Sequence, residues 1–323
     1  MIEKVVIIGL GQIAFGYDLN RRNSINISSH ANAFSKHENF EIVAGIDISF
    51  DRRKAFSEAY ETATYEKVDK QIANLNPSVV VISTPTETHA DILEDILSYI
   101  KPKIILCEKP LDFSYEKAKK MVNSCRKNEV KLFVNYMRQS DISTRSIFNM
   151  IQNETIKYPI KANVWYSKGI YNTASHLMNL LEFWLGPQIE EKIINVGEAI
   201  GNHDFDPDFA VKYKNGYANF ISAKEDNFSI YTIELVAQNG RLYYSNGGEK
   251  ITWQCSIEDE MFEGYYILDE KKKNIENNLH QSQMNVVNEI SNFISNKEYF
   301  ICEADEALQT INNVNKIMDL IER

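Results

Sequence analysis

The chain has 323 residues, 44% of them hydrophobic and 25% charged, and a formal net charge of −10. That length exceeds one typical core and suits two domains, and the composition is ordinary for a soluble globular protein. The acidic balance without a basic stripe argues against nucleic acid as a partner, and no apolar run reaches the roughly 18 residues that span a bilayer. Lys271-Lys272-Lys273 sits among acidic residues and reads as a solvated turn. Cys107, Cys125, Cys255 and Cys302 are scattered, with no Cys-x-x-Cys spacing and no histidine in metal-ligand register. They read as reduced core thiols in a cytoplasmic protein that holds no metal.

The chain opens on the apolar run Val5-Val6-Ile7-Ile8, a buried strand that leaves no room for a secretory signal. Gly9-Leu10-Gly11-Gln12-Ile13-Ala14 follows directly. Gly9 permits a tight turn, Gly11 lets backbone approach a pyrophosphate, and Ala14 lets a helix pack close to the strand. The amides at that helix start, across Gln12 and Ile13, would hold phosphate. A second run, Phe40 to Ile46, ends in Asp47, placed to accept hydrogen bonds from the adenosine ribose and to repel a 2′-phosphate. NAD is thereby favoured over NADP, with Arg52 and Arg53 close behind as a counter-argument. Asp47 lies much further from Gly9 than the usual roughly 20 residues. The surplus is Phe15 to Ser29, after which helical patterning returns at His30-Ala31-Asn32-Ala33-Phe34. Two readings of this insertion stand: surface decoration, or a flap over cofactor or substrate.

Three more runs, Val79–Ile82, Ile104–Leu106 and Leu132–Val134, alternate with helical stretches and complete a doubly wound parallel sheet with both faces covered. The third run ends in Ser83-Thr84-Pro85, with His89 in the first turn of the following helix. Loops at the carboxyl ends of strands form the ligand crevice, so Thr84 and Pro85 are expected at the cofactor. His89 either joins them or caps and packs its own helix. The fourth run ends in Cys107-Glu108-Lys109-Pro110. A lysine before proline is disfavoured from continuing helically, which lets Lys109 project into the crevice and stabilise charge on a substrate oxygen. Glu108 is placed to bind the nicotinamide ribose.

Beyond about Gln139 the texture changes. Helices are expected at Ser140–Asn153 and Thr173–Leu185, and strands at Lys161–Tyr166, Lys192–Val196, Phe209–Tyr213, Ala218–Ala223, Ser229–Ala237, Arg241–Ser245 and Ile251–Gln254. Turns at Lys214-Asn215-Gly216, Gln238-Asn239-Gly240 and Asn246-Gly247-Gly248 make the sheet mainly antiparallel and open. Such a sheet needs a cover, and self-association to a homodimer or homotetramer supplies one. Two final helices, Ser282–Ser295 and Glu303–Ile321, are placed to return toward the first domain. The expected domains are 1–136 and 137–323, the second an α+β domain. Within it, Asn172 and His176 stand four apart and Asn179 one turn on, a polar patch in which His176 is a candidate general base.

These features together, Gly9-x-Gly11-x-x-Ala14, Ser83-Thr84-Pro85 with His89, Glu108-Lys109-Pro110 and the His176 helix, resemble the glucose–fructose oxidoreductase / inositol dehydrogenase / MocA (Gfo/Idh/MocA) family over essentially the whole chain. The resemblance implies an N-terminal Rossmann domain and hydride transfer between NAD(P) and a carbohydrate or cyclitol hydroxyl. It carries Lys109 and His176 over as catalytic residues and makes Arg138, in Asn135-Tyr136-Met137-Arg138, a cofactor or substrate contact. Asn172 occupies the family's aspartate position, and Asn172 and Asn179 are expected to position substrate. An amide orients an imidazole but supplies no negative charge to an imidazolium. A dehydrogenase of sugars or nucleotide sugars is the leading expectation. An NAD-assisted glycoside hydrolase and an NAD-binding regulatory protein without turnover are its rivals.

Overall fold

The computed structural model of the chain describes residues 2–21, 24–224 and 228–321. Two compact units emerge, 1–140 with 280–311 and 141–279 with 312–323. The first boundary thus falls at 140/141 rather than the expected 136/137. The turn after the last parallel strand stays with the first unit, because Gln139 N–H donates to Tyr136 O and Gln139 Nε2 donates to Glu306 Oε2 at 3.0 Å.

The first unit contains, in chain order, β1 (Glu3–Ile8), α1 (His30–Lys36), β2 (Phe40–Ile46), α2 (Phe50–Tyr60), β3 (Ala63–Tyr65), α3 (Lys70–Asn74), β4 (Val79–Ile82), α4 (His89–Tyr99), β5 (Ile104–Cys107), α5 (Tyr115–Lys127) and β6 (Lys131–Val134). The strands run parallel in the order β3-β2-β1-β4-β5-β6, with the topological switch between β1 and β4. Strands β4 and β5 are buried throughout, and β1 from Val5 on, as continuous apolar runs dictate when helices cover both faces. Edge strand β3, only Ala63-Thr64-Tyr65, has no apolar run to announce it.

The fingerprint helix is interrupted. Residues 11–15 make one turn, with Phe15 N–H donating to Gly11 O, and a short 3-10 turn follows at Gly16–Asp18. Helix α1 then resumes where that turn stopped: His30 N–H donates to Ile13 O (3.0 Å) and Ala31 N–H to Ala14 O (2.8 Å). The 15–29 segment is an excursion out of an otherwise continuous hydrogen-bond ladder, and its Arg22 and Asn23 lie outside the described residues. Buried Asp18 closes its base, accepting from Ser28 N, Ser29 N, Ser29 Oγ and Asn32 Nδ2 through one oxygen. Further along, Ile27 N–H donates to His280 O and Gln283 N–H to Ile27 O.

The second unit contains α6 (Ile142–Gln152), β7 (Lys161–Tyr166), α7 (Ser175–Leu185), β8 (Gln188–Asn195), β9 (Ala199–Ile200), β10 (Asp204–Phe205), β11 (Asp208–Tyr213), β12 (Gly216–Ser222), β13 (Tyr231–Ala237), β14 (Gly240–Ser245), β15 (Lys250–Glu258), β16 (Tyr266–Leu268) and β17 (Lys273–Asn274). Its large sheet runs β16-β15-β14-β13-β7-β12-β11-β8, with β17 beside β15. Among the described residues of this sheet, only β7 and β12 pair in parallel. Helices α8 (Ser282–Ile294) and α9 (Ala304–Ile321) close the chain. Val286, Val287 and Ile290 of α8 join the first unit's core with Phe34 and Phe133. Cys107, Cys125 and Cys302 are buried, whereas Cys255, expected in a core, lies exposed on β15. Burial pushes the Cys125 thiol up to about 12.

Candidate active site

In the first unit the sheet ladder continues past the strand ends. Gly9 N–H donates to Ile46 O, Ser83 N–H to Ile8 O, Glu108 N–H to Ile82 O and Asn135 N–H to Cys107 O. Gly9, Asp47, Ser83, Glu108 and Asn135 therefore stand along the carboxyl edge, where an open α/β sheet binds its ligand.

A cavity of about 560 Å³ opens there, lined among others by Gly9, Gly11, Asp47, Arg52, Thr84 and Pro85. Gly9 turns at φ +87°, and a Cβ on it would lie 2.6 Å from Thr84 Cγ2 and 2.7 Å from the Ser83 carbonyl, so only glycine fits. Gly11 is the opposite case: a Cβ there would meet no atom within 4 Å. Its bare face looks into the room a pyrophosphate needs. The main-chain N–H groups of Gly11, Gln12 and Ile13 have no acceptor among the described residues, as expected at a helix start. These residues fit the diphosphate of a dinucleotide.

Asp47 is buried beside them. Its Oδ2 accepts from Leu10 N–H at 2.7 Å and its Oδ1 from Ser49 N–H at 2.8 Å. A carboxylate accepts about four hydrogen bonds, which leaves capacity for ribose hydroxyls. Arg53 is spent on main-chain oxygens, Asp47 O at 2.6 Å and Ile48 O at 3.0 Å. Arg52 lines the cavity, with Nη1 3.6 Å from Asp47 Oδ2.

Of the two readings of His89, its contacts support packing. It is fully buried, with Nδ1 3.2 Å from Leu111 O and Nε2 2.9 Å from Thr84 O. Both ring nitrogens face main chain, so it braces the Thr84 loop against the segment after Lys109-Pro110.

Glu108 was expected at the nicotinamide ribose, and the structure adds its supports. Its Oε1 takes His30 Nε2 at 2.7 Å and Asn135 Nδ2 at 2.6 Å. Oε2 takes no donor among the described residues. Burial pushes the Glu108 pKa up, but the hydrogen bond and charge of His30, then Asn135 and Lys109, outweigh it and hold the carboxyl below its ordinary range. Half-buried Lys109 follows Glu108 at the end of β5. Arg138 is buried in the turn after β6. Sequence reading had passed over His30 and the bracing role of Asn135. The mark of His30 was its position, first residue of the resumed helix.

In the second unit, the helix expected from Thr173 begins earlier. Ile170–Ala174 forms a π-helical turn ahead of α7. The four-residue step from Asn172 to His176 therefore runs from this wider turn into α7. Asn172 is exposed, while His176 and Asn179 are 6% and 3% exposed. Asp204 caps the turn: its Oδ1 accepts from Tyr171 N–H and its Oδ2 from Asn172 N–H, each at 3.0 Å. Gly169, at φ +86°, makes room for that carboxylate, since a Cβ there would lie 2.3 Å from Asp204 Oδ2. Burial raises the Asp204 pKa against the pull of these main-chain donors. Sequence reading offered no signal for this cap, because it comes from a distant two-residue strand.

Residues 3–136 match the family model described as "Oxidoreductase family, NAD-binding Rossmann fold". A myo-inositol 2-dehydrogenase of Thermotoga maritima is 23% identical over 267 residues, 75% of each chain. Two solved structures share the whole fold. An NAD binding oxidoreductase from Klebsiella pneumoniae superposes with TM-score 0.80 at 12% identity, covering 100% of this chain and 97% of that one. The WlbA dehydrogenase from Bordetella pertussis, in complex with NADH and UDP-GlcNAcA, gives 0.75 at 15%, covering 100% and 97%.

Proposed function

We propose that this chain, whose residues 3–136 are an NAD-binding Rossmann domain of the Gfo/Idh/MocA oxidoreductase family, transfers hydride between NAD and a hydroxyl or keto group of a sugar or nucleotide sugar. The observation that carries this reading is the carboxyl edge of the first unit's sheet. There Gly11 presents an open face, Asp47 an unsaturated carboxylate, and β5 delivers Glu108 and Lys109. Gly9 to Ala14 hold the diphosphate, Asp47 the adenosine ribose, and Thr84 and Pro85 line the cavity. NAD is preferred to NADP because a carboxylate stands at the ribose and Arg53 is tied to main-chain oxygens.

Bound NAD supplies the hydride acceptor. Lys109 polarises the substrate oxygen through its ammonium. His176 takes the hydroxyl proton as general base. Asn172, Asn179 and Arg138 hold the substrate's other polar groups. With an amide at position 172, the imidazolium of His176 gains no carboxylate from that residue, and Lys109 carries more of the charge stabilisation. The sugar class is supported by the inositol dehydrogenase relative, and the nucleotide-sugar alternative by the WlbA neighbour and its UDP-GlcNAcA. A screen of aldoses, cyclitols and nucleotide sugars for NADH formation tests the reading. Tight NAD binding with silence across the panel would favour the regulatory alternative instead.

The same proposal covers assembly. On β7, Trp165 is 44% exposed while its neighbours Val164 and Tyr166 are fully buried. Tyr217, Val236 and Tyr243 are also exposed on β12, β13 and β14. A second copy of the chain is the partner that covers this face.

A further inference from the structure

We infer that His30 is the positioning residue for the nicotinamide half of the cofactor: it holds one oxygen of Glu108 and thereby presents the other to a ribose hydroxyl. The inference rests on the NAD reading above and adds a residue to it.

His30 is the first residue of α1 and fully buried. Its main-chain N–H is fixed on Ile13 O, so the imidazole hangs from the fingerprint turn itself. Its Nε2 reaches Glu108 Oε1 at 2.7 Å. Asn135 Nδ2 reaches the same oxygen, and also lies 3.2 Å from Oε1 of the fully buried Gln283. Two donors thus converge on Oε1, one from α1 and one from the residue that follows β6. Oε2 receives none among the described residues, and the Glu108 side chain keeps 14% of its surface exposed. A carboxylate pinned through one oxygen has its second oxygen in a fixed place, the arrangement that recognises a hydroxyl donor.

The other nitrogen of His30 strengthens the argument. Nδ1 is buried with no hydrogen-bond partner among the described residues. An unsatisfied buried nitrogen carries a real penalty. A residue serving only to fill space would avoid it, whereas one needed for its Nε2–H tolerates it. Oriented in this way, His30 joins the turn that holds the diphosphate to the carboxylate that holds the second ribose.

The test compares three ligands on the full-length protein by isothermal titration calorimetry. NAD and ADP-ribose contain the second ribose; ADP does not. His30→Leu removes the donor, and His30→Gln keeps an amide N–H of similar reach. The expected result is that His30→Leu weakens NAD and ADP-ribose about tenfold and leaves ADP within about twofold, while His30→Gln restores most of the loss. Where His30→Leu does not fold, His30→Asn, too short to reach Oε1, is expected to show the same split. Equal weakening of all three ligands would reduce His30 to a support of the turn and overturn the inference. So would unchanged affinity for NAD and ADP-ribose. Failure of the wild-type protein to bind either NAD or ADP would instead remove the cofactor reading on which the inference stands.

Discussion

At the residue scale, the two fingerprint glycines answer to different forces, and substitution separates them. Gly9→Ala forces a Cβ against the Ser83 main chain at a left-handed φ, which costs on the order of 2 kcal/mol or more. Chemical denaturation should show that loss. A Cβ at Gly11 meets no atom within 4 Å, so the denaturation midpoint of Gly11→Val should stay put while NAD affinity falls more than about tenfold. Unaltered NAD affinity in that variant would mean the diphosphate lies elsewhere. Glu108 carries a pH signature of its own. Its folded-state pKa is held below the ordinary value of 4.5, so its contribution to stability is complete above that value and is lost as pH falls through the folded one. The difference in melting temperature between wild type and Glu108→Gln should therefore be constant near neutrality and shrink only in acid. A difference that grew on acidification would reverse the assigned sign.

At the element scale, what could be read from sequence was what local pattern dictates. Five apolar parallel strands and Lys161–Tyr166 declared themselves by runs or by alternation, while β3, β9, β10, β16 and β17 are two or three residues long and held by their neighbours. Gly9, Gly11 and Asp47 were legible because a strand, a turn and a strand end fix their places. Asp204 on the π turn and His30 on Glu108 were not, because each is a contact between segments far apart in the chain. The excursion at 15–29 was visible as surplus length, but not its construction as a gap in one helix bridged by His30 and Ala31. Asp18 holds that gap closed with four donors on a single oxygen. Asp18→Ala leaves buried donors unmatched and should lower stability by about 2–4 kcal/mol. Through the displaced α1 it should also weaken NAD more than ADP. Loss of neither would show that the excursion is held by its contacts at Ile27 alone.

At the scale of the whole molecule, the second unit's broad sheet leaves Trp165, Tyr217, Val236 and Tyr243 exposed on one face. Light scattering should find a dimer or tetramer, and Trp165→Glu, changed on that face, should shift it toward monomer with NAD affinity kept. A monomeric wild type would leave the face to a different partner. The central claim is turnover, and Lys109 is where it can be tested. Purified wild-type and Lys109→Ala proteins are compared for NADH formation across the sugar and nucleotide-sugar panel, with NAD affinity measured in parallel. At least one compound is expected to support NADH formation by wild type, and Lys109→Ala to lose about 100-fold or more of that rate with NAD affinity nearly unchanged. Wild-type rates in the Lys109→Ala protein would contradict it.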